Sequence, residues 1–276
     1  MWKNPKFLFG LGNPQAAPAA AAPLTDGEQY VGRATRNLPG LGGIAPDPFV
    51  FGFSPPAPPI TYPGEPPFEL RWLDASESPF GVRVLDCRSV AHRMISTSKS
   101  PEVLGYFASQ EALRGEQFRT APPPNSQAFA MDLRYSGFCI PETEGPVYLA
   151  QVMEDKWDIF RFGDVLFFVR SWSGTLVHRA RFAAPNGGLV IAEVSTEASR
   201  ASSDPGLRKI TRCEIDFLLR THLHRERVPA PLPPEVAGST APESVAMLAF
   251  GRFGRWASFA TEADTTRVTW GDQRLS

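Results

Sequence analysis

Residues 155–182 read DKWDIFRFGDVLFFVRSWSGTLVHRARF, and this stretch decides the fold. In residues 156–162 and 175–182, side chains alternate with the period of two that a half-buried β-strand shows. Between them, residues 165–172 contain a consecutive Leu-Phe-Phe-Val run, typical of a strand buried on both faces at the centre of a sheet. Gly163-Asp164 and Ser173-Gly174 supply the turns. The pattern predicts an antiparallel meander, which a fourth strand at residues 189–194 extends.

The same stretch resembles an uncharacterised bacterial family. The resemblance rests on Lys156-Trp157, on Leu166-Phe167-Phe168 and on Arg170-Ser171-Trp172-Ser173-Gly174, where the family shows Arg-Ser-Trp-Thr-Gly. The likeness implies that the segment is one folded unit. It implies no activity, because none is attached to the family.

Residues 68–276 predict a single α+β domain whose sheet is predominantly antiparallel and which carries about two helices. One helix begins at Ser100-Pro101-Glu102, with serine as N-cap, and ends near Gly115. The apolar periodicity of residues 212–225 predicts the other. Further strands are expected at residues 68–74, 82–87, 128–135, 245–250, 256–261 and 265–270. Residues 140–146 are expected to form a turn-rich link, and residues 229–234 a rigid segment that crosses the surface.

Residues 1–67 predict an extended arm. They contain 14 of the 28 prolines and 9 of the 23 glycines, a proportion typical of segments that do not fold alone. Aromatic anchors nevertheless interrupt the arm, and we expect them to bind partners: Trp2, Phe7, Phe9, Phe49, Phe51 and Phe53. Two interpretations remain open, because the anchors could hold the arm on its own body or dock it on other protein subunits. In the second case, residues 2–9 are suited to a membrane interface.

Composition excludes some functions. A net charge of −1 and a pI near 6.4 provide no basic face for nucleic acid. The three cysteines are widely separated and odd in number, which favours a reducing compartment. The apolar stretch after Lys3 and Lys6 is shorter than a signal peptide requires. We therefore expect a cytoplasmic protein, peripheral to a membrane if residues 2–9 bind one.

Local motifs indicate no catalytic residue, metal or cofactor. His222 and His224 lie two positions apart on a predicted helix, so their side chains diverge, whereas a helical metal pair needs a spacing of three or four. Cys87 ends a predicted strand and is expected in the core. The nucleophile motif of serine hydrolases, the phosphate-binding loop and the dinucleotide-binding glycine pattern are not matched.

Arg170 is the most suggestive polar residue, because it interrupts an apolar strand and a buried charge needs a partner. One interpretation is a structural ion pair with Glu154, Asp155 or Asp164. The other is a pocket in which Arg170, Lys156 and Trp172 bind an anionic ligand.

The leading functional prediction is a non-catalytic accessory subunit that docks on a larger protein assembly through its arm. The alternative is a domain that binds or transforms a small anionic molecule with Lys156, Arg170 and Trp172. The sequence names neither the partner nor the ligand.

Overall fold

The computed structural model describes residues 69–268, except for residues 97, 139, 198–204, 234–235 and 237–240. All of the described residues belong to one compact unit. The predicted arm lies outside the described part of the chain, together with its aromatic anchors Trp2, Phe7, Phe9, Phe49, Phe51 and Phe53. The boundary between arm and body near residue 67 stays a prediction.

Ten strands lie within the described residues. In chain order they are β1 Trp72–Leu73, β2 Val84–Asp86, β3 Ser126–Tyr135, β4 Gly145–Tyr148, β5 Trp157–Phe162, β6 Val165–Arg170, β7 Leu176–Ala183, β8 Leu189–Glu197, β9 Ala230–Pro231 and β10 Phe259–Thr261. Strands β3 to β8 form a six-stranded antiparallel sheet in the spatial order β3-β8-β7-β6-β5-β4. The predicted meander is confirmed as β5 to β8.

The hairpins turn at the predicted positions. Strands β5 and β6 pair from Trp157 opposite Arg170 to Phe162 opposite Val165. Gly174 has a φ of +65°, which glycine adopts without strain, and its N–H donates to the carbonyl of Arg170 at 2.9 Å. The loop after β6 is therefore closed by the glycine that the sequence indicated.

Strand β6 is buried on both faces, as its apolar run predicted. On one face Leu166 and Phe168 belong to the main core. On the other face Phe167 and Val169 belong to a second cluster, which Phe118 and Leu149 cover. Because both faces are covered, apolar and polar residues do not alternate along this strand, whereas they do alternate along the half-buried strands.

Four α-helices lie within the described residues, two more than predicted. They are α1 Arg88–Ala91, α2 Pro101–Leu113, α3 Pro205–Leu218 and α4 Pro242–Phe253. Helix α2 begins as predicted, because the hydroxyl of Ser100 accepts the N–H of Val103. Helix α3 begins seven residues before the predicted start and continues as a π-helix, Leu219–Leu223.

Helix α4 corrects the strand predicted at residues 245–250. Its buried residues are Val245, Ala246, Ala249, Phe250 and Phe253, which lie along one side of a helix rather than on one face of a strand. Pro242 at the start and Glu243 in the first turn are helix signals. The apolar run concealed them, because a short apolar run fits a buried helix and a buried strand equally well.

Three other segments differ from the prediction. Strand β4 lies in the expected turn-rich link. Strand β9 lies in the expected surface segment and is buried. Residues Thr265–Arg267 form a 3-10 helix, in which the carboxylate of Asp264 accepts the N–H of Thr266. Residues 269–270 lie outside the described part. Elements of two to four residues are too short to show a periodicity that identifies them.

The second sheet has four strands in the order β1-β2-β10-β9. Strands β9 and β10 are parallel, and α4 connects them. The other two pairs are antiparallel. The body is therefore α+β with mostly antiparallel sheets, as predicted. In chain order, α4 follows β9, which is an edge strand of the smaller sheet.

Candidate functional site

Lys156, Arg170 and Trp172, which the sequence proposed as an anion pocket, lie together beside hairpin β5–β6. Nζ of Lys156 lies 4.0 Å from the centre of the Trp172 ring. It donates to the hydroxyl of Ser96 at 2.8 Å and to the carbonyl of Met153 at 2.7 Å. The indole N–H of Trp172 donates to the same carbonyl at 2.7 Å. Lys156 is 6% exposed, and its burial, reinforced by the charge of Arg170, lowers its pKa to about 8.

Arg170 binds the carboxyl end of α4. Its two terminal nitrogens donate to the carbonyls of Arg252 and Gly251 at 2.7 and 2.9 Å. Its guanidinium also lies 4.8 Å from the ring centre of Trp157, whose N–H donates to the carbonyl of Arg252 at 2.8 Å. The last carbonyls of a helix have no partner within the helix and carry its negative dipole end. A cation there is stabilised without a carboxylate.

Asp155 is one of the carboxylates that the sequence proposed for Arg170, and its side chain binds the segment after α4. Arg255 donates to both of its oxygens, at 2.6 and 2.9 Å. The indole N–H of Trp256 and the backbone N–H of Gln151 donate to the same carboxylate at 3.1 and 3.0 Å. The carboxylate is fully buried, and these charge-assisted contacts compensate the loss of hydration.

Gly254 allows this close approach. Its φ is +63°, and a Cβ at this position would collide with the carbonyl oxygen of Glu154. The N–H of Arg255 donates to that oxygen at 3.2 Å. We name the whole arrangement the α4 clamp, and it consists of Asp155, Trp157, Arg170, Gly251, Arg252, Gly254 and Arg255. The sequence-predicted residues thus contribute to a joint between the large sheet and α4.

Asp158 is a second buried carboxylate of β5. One oxygen accepts the N–H of Ala150 at 2.8 Å, and the other accepts no hydrogen bond from any described residue. Burial, reinforced by the charge of Asp155, raises the pKa of Asp158 to about 7. A proton therefore resides on this carboxyl over part of the neutral range.

A polar cleft lies between the edge strand β3 and helix α3, and we name it the β3–α3 cleft. Its volume is about 380 Å³, within the order of size of small-molecule sites. It is lined by Asp132, Leu133, Arg134, Tyr135, Ser136, Phe138, Arg212, Asp216, Arg220, His224, Glu226 and Thr266. Sequence reasoning did not find it.

Asp216 is the buried carboxylate of the cleft, with 1% exposure. The phenol of Tyr135 donates to Oδ1 at 2.8 Å. Oδ2 lies 3.5 Å from Nη1 of Arg220, yet it accepts no hydrogen bond from the described residues. Burial raises the pKa of Asp216 to about 6, and the charge of Arg220 and the bond from Tyr135 limit the rise. The carboxylate is therefore mostly ionised at neutral pH.

Arg220 is fixed by several acceptors. Its Nη1 donates to the carbonyls of Val268 and Thr265 at 2.8 and 3.2 Å, and its Nε donates to Glu226 at 2.8 Å. Arg212 differs, since its buried Nε makes no hydrogen bond with the described part of the chain. Of the two arginines that α3 and its π-turn contribute, Arg212 retains the free donor.

The two histidines of residues 222–224 diverge, as their spacing predicted. His224 lines the cleft and stacks on Phe138 with ring centres 3.6 Å apart. His222 is buried against Tyr148 and Trp256. Burial, followed by the charge of Arg225, lowers the pKa of His222 to about 3. His222 is therefore a neutral core residue.

A sequence signal for the cleft exists. Arg212, Asp216 and Arg220 follow one another at a spacing of four, which places them on one side of a helix. The apolar residues Ile215, Leu218 and Leu219 dominated the interpretation of the same segment. A second polar stripe at helical spacing indicates a helix that faces either solvent or a polar cleft, and only the fold distinguishes the two.

Comparison with protein-family models, curated proteins and solved structures gives no significant match to this chain. Within the described ranges, no group of three or more His, Cys, Asp or Glu side chains is placed to hold a metal ion. None of the helices in the described ranges has the length and apolar character needed to cross a membrane. Cys87 is 1% exposed in the core, and burial raises its thiol pKa.

Replacement of Arg170 by alanine should lower the free energy of unfolding. The variant loses two hydrogen bonds from a charged donor, so we expect a loss of about 2 to 4 kcal/mol. Urea denaturation followed by tryptophan fluorescence measures it. Arg181→Ala is the matched control on β7, because this side chain is 59% exposed and lies 3.9 Å from its carboxylate partner. The control should change stability by less than about 0.5 kcal/mol. Equal losses in both variants contradict the clamp.

Asp158 predicts a pH dependence of stability. Its folded-state pKa is raised to about 7, so the folded state binds this proton more tightly than the unfolded chain does. Its contribution to stability therefore falls as the pH rises from about 4 to about 7. Asp158→Asn cannot ionise and keeps the acceptor for Ala150. We expect the variant to gain stability relative to the natural chain between pH 5 and pH 8, by about 2 kcal/mol.

Urea denaturation at several pH values in this range measures the difference. Asp164→Asn is the control, because the Asp164 side chain is 68% exposed. Its stability relative to the natural chain should stay nearly constant with pH. A difference for Asp158→Asn that is equally constant means that the buried carboxyl does not titrate in this range.

Proposed function

We propose that the body is a small-molecule-binding domain whose ligand occupies the β3–α3 cleft. The observation that carries this proposal is Oδ2 of Asp216, a buried carboxylate oxygen that accepts no hydrogen bond from the described residues. Buried polar atoms are nearly always satisfied, and an exception at a cleft indicates a group that arrives from outside. The proposal assigns binding to the cleft and no reaction.

Burial alone does not distinguish Asp216, since Asp158 also has an oxygen without a donor among the described residues. Asp158 can hold a proton, because its pKa is raised to about 7 and no arginine is among the causes of its shift. Asp216 has Arg220 3.5 Å away, which favours the charged form. Asp216 also lines the cleft. A charged, buried oxygen on a residue that lines the cleft supports a binding role.

We place the ligand in the cleft rather than at Lys156, Arg170 and Trp172, because the donors of these three residues have partners. The donors of Lys156, Arg170 and Trp172 contact the hydroxyl of Ser96 and backbone carbonyls. A ligand would have to break these contacts, whereas Arg212 retains a donor. We therefore place the ligand of the alternative hypothesis in the cleft.

The test is retention of a metabolite by the full chain. The natural protein is equilibrated with a polar metabolite extract and washed by ultrafiltration, and released molecules are identified by mass spectrometry. Arg212→Gln should reduce the retained amount about tenfold or more, because one charged hydrogen bond contributes about 1.5 to 3 kcal/mol. Lys209→Gln is the control, since it changes the same charge on α3 outside the cleft.

Two results contradict the proposal. The natural protein could retain nothing beyond what the denatured chain retains, or Arg212→Gln could retain as much as Lys209→Gln. Thermal melts of both variants verify that each is folded before the comparison is made.

We also propose that the arm docks the protein on other subunits of an assembly. The support comes from the sequence, because a Pro/Gly-rich segment that acts only as a linker does not need aromatic side chains. This segment contains Trp2, Phe7, Phe9, Phe49, Phe51 and Phe53. This role is compatible with a ligand in the body. A cytoplasmic protein with residues 2–9 at a membrane surface remains part of this proposal.

Cross-linking with mass spectrometry in cells of the natural source tests the arm. Lys3 and Lys6 should link to other polypeptides in the full chain. The triple variant Trp2→Ser, Phe7→Ser, Phe9→Ser should lose most of these links, because its apolar anchors are removed. The control has alanine at positions 14, 18 and 23 in place of proline and should keep them. Links from the arm to the exposed Lys209 of its own body alone would show a self-wrapped domain.

A further inference from the structure

The charges of the β3–α3 cleft mostly satisfy one another. Arg134 binds Asp132 at 2.7 Å on the rim. Arg220 binds Glu226 at 2.8 Å and two backbone carbonyls. Asp216 lies 3.5 Å from Nη1 of Arg220, although Oδ2 accepts no hydrogen bond from the described residues. Two charged residues of the lining keep an unsatisfied atom within the described part of the chain, Arg212 and Asp216. Each has a buried atom that makes no hydrogen bond within the described residues.

The unsatisfied oxygen of Asp216, Oδ2, requires a hydrogen-bond donor. Tyr135 holds Oδ1 at 2.8 Å and so fixes the orientation of the carboxylate, which leaves Oδ2 for an incoming group. A carboxylate oxygen is an acceptor only, so the incoming group must carry an N–H or O–H. Arg220 keeps the carboxylate ionised and thus a strong acceptor.

The requirement of Arg212 is an acceptor. The guanidinium is a planar fork of donors whose shape matches a carboxylate. Asp264 lies close enough to be affected by the charge of Arg212. Burial acts to raise the pKa of Asp264, but the hydrogen bonds from Thr266 and the charge of Arg212 help to lower it, and the pKa is lowered. Asp264 accepts from the N–H and hydroxyl of Thr266. Its presence does not satisfy Nε of Arg212.

The two requirements are close in space. Arg212 and Asp216 are four residues apart on α3, which places their side chains next to each other on the helix surface. A single small ligand must therefore present an acceptor and a donor on neighbouring atoms. Neither of the two side chains alone can bind both groups of such a ligand.

Simple ions fit this arrangement poorly. A metal cation at Asp216 would face Arg212 and Arg220, and like charges at short range repel. A phosphate at Arg212 would face Asp216 and Glu226, which repel it for the same reason. A ligand with groups of both characters offsets each repulsion with an attraction to a residue of opposite charge.

We propose that the cleft binds an α-amino or α-hydroxy carboxylate, with the carboxylate on Arg212 and the α-donor on Oδ2 of Asp216. This inference rests on the proposed binding function. In such a molecule both groups are attached to the α-carbon, so one small ligand can present them to two side chains that are neighbours on the helix surface. Leu133, Phe138 and Tyr135 provide the less polar wall of the cleft, and the substituent on the α-carbon packs there.

Three matched series of compounds test the proposal on the full-length protein by isothermal titration calorimetry. Each series has an α-amino acid, its α-hydroxy analogue, the acid without the α-donor and the amine without the acid. The series are L-phenylalanine, L-phenyllactate, hydrocinnamate and phenethylamine; L-leucine, L-leucate, isocaproate and isoamylamine; and L-alanine, L-lactate, propionate and ethylamine. They vary the substituent while the polar groups stay constant.

We expect that, in at least one series, the α-amino or α-hydroxy acid binds about tenfold or more tightly than both truncated compounds, because each truncation leaves one buried group unsatisfied. Comparison of the first two compounds tells an amino from a hydroxy ligand. Asp216→Asn should reduce the advantage over the acid without the donor, while Lys209→Gln should not change it. The comparison among ligands needs no variant and stands if Asp216→Asn is unstable.

The inference is overturned if the acid without the donor, or the amine without the acid, binds as well as the complete compound. The binding function then survives with another ligand class. The inference is also overturned if none of the twelve compounds binds. Retention of a metabolite by the full chain, lost in Arg212→Gln, separates that result from failure of the binding function itself.

Discussion

The fold depends on how the carboxyl end of α4 is held. The last carbonyls of this helix, at Gly251 and Arg252, accept from Arg170 and Trp157 of the large sheet. A helix end buried without such partners would leave polar groups unsatisfied at a cost of a few kcal/mol. Helix α4 also connects β9 and β10 of the smaller sheet. The clamp therefore joins the antiparallel meander to the chain segment that carries the parallel pair.

Side-chain donors that bind backbone carbonyls explain the chemistry of the central stretch. Lys156, Trp157, Arg170 and Trp172 all donate to backbone carbonyls, and the hydroxyl of Ser171 donates to the carbonyl of Asp155 at 2.6 Å. A side chain can donate to a buried backbone carbonyl only if it has the right length and donor geometry. This structural requirement is enough to explain why tryptophan, lysine and arginine occupy these positions.

Helix α3 shows how the same kind of residue serves two purposes. Glu214 faces the core, where Arg252 donates to it at 3.1 Å and His178 lies 3.5 Å away. Asp216, two positions later, faces the cleft and keeps an oxygen without a donor among the described residues. The two carboxylates differ in position, because Asp216 lines the cleft and Glu214 does not. This difference in position separates the scaffold from the proposed site.

The sequence alone determined the elements whose signals are local: the hairpins of β5 to β8, the doubly buried β6, and the start of α2 at Ser100. Periodicity, turn glycines and caps act over a few residues, so they are legible in one segment. Tertiary structure decided the rest. Strands β4 and β9 exist because other strands pair with them, and the acceptors of Arg170 lie in α4, about 80 residues away. The cleft required β3 and α3 to meet, because a site assembled from separate segments leaves no contiguous motif.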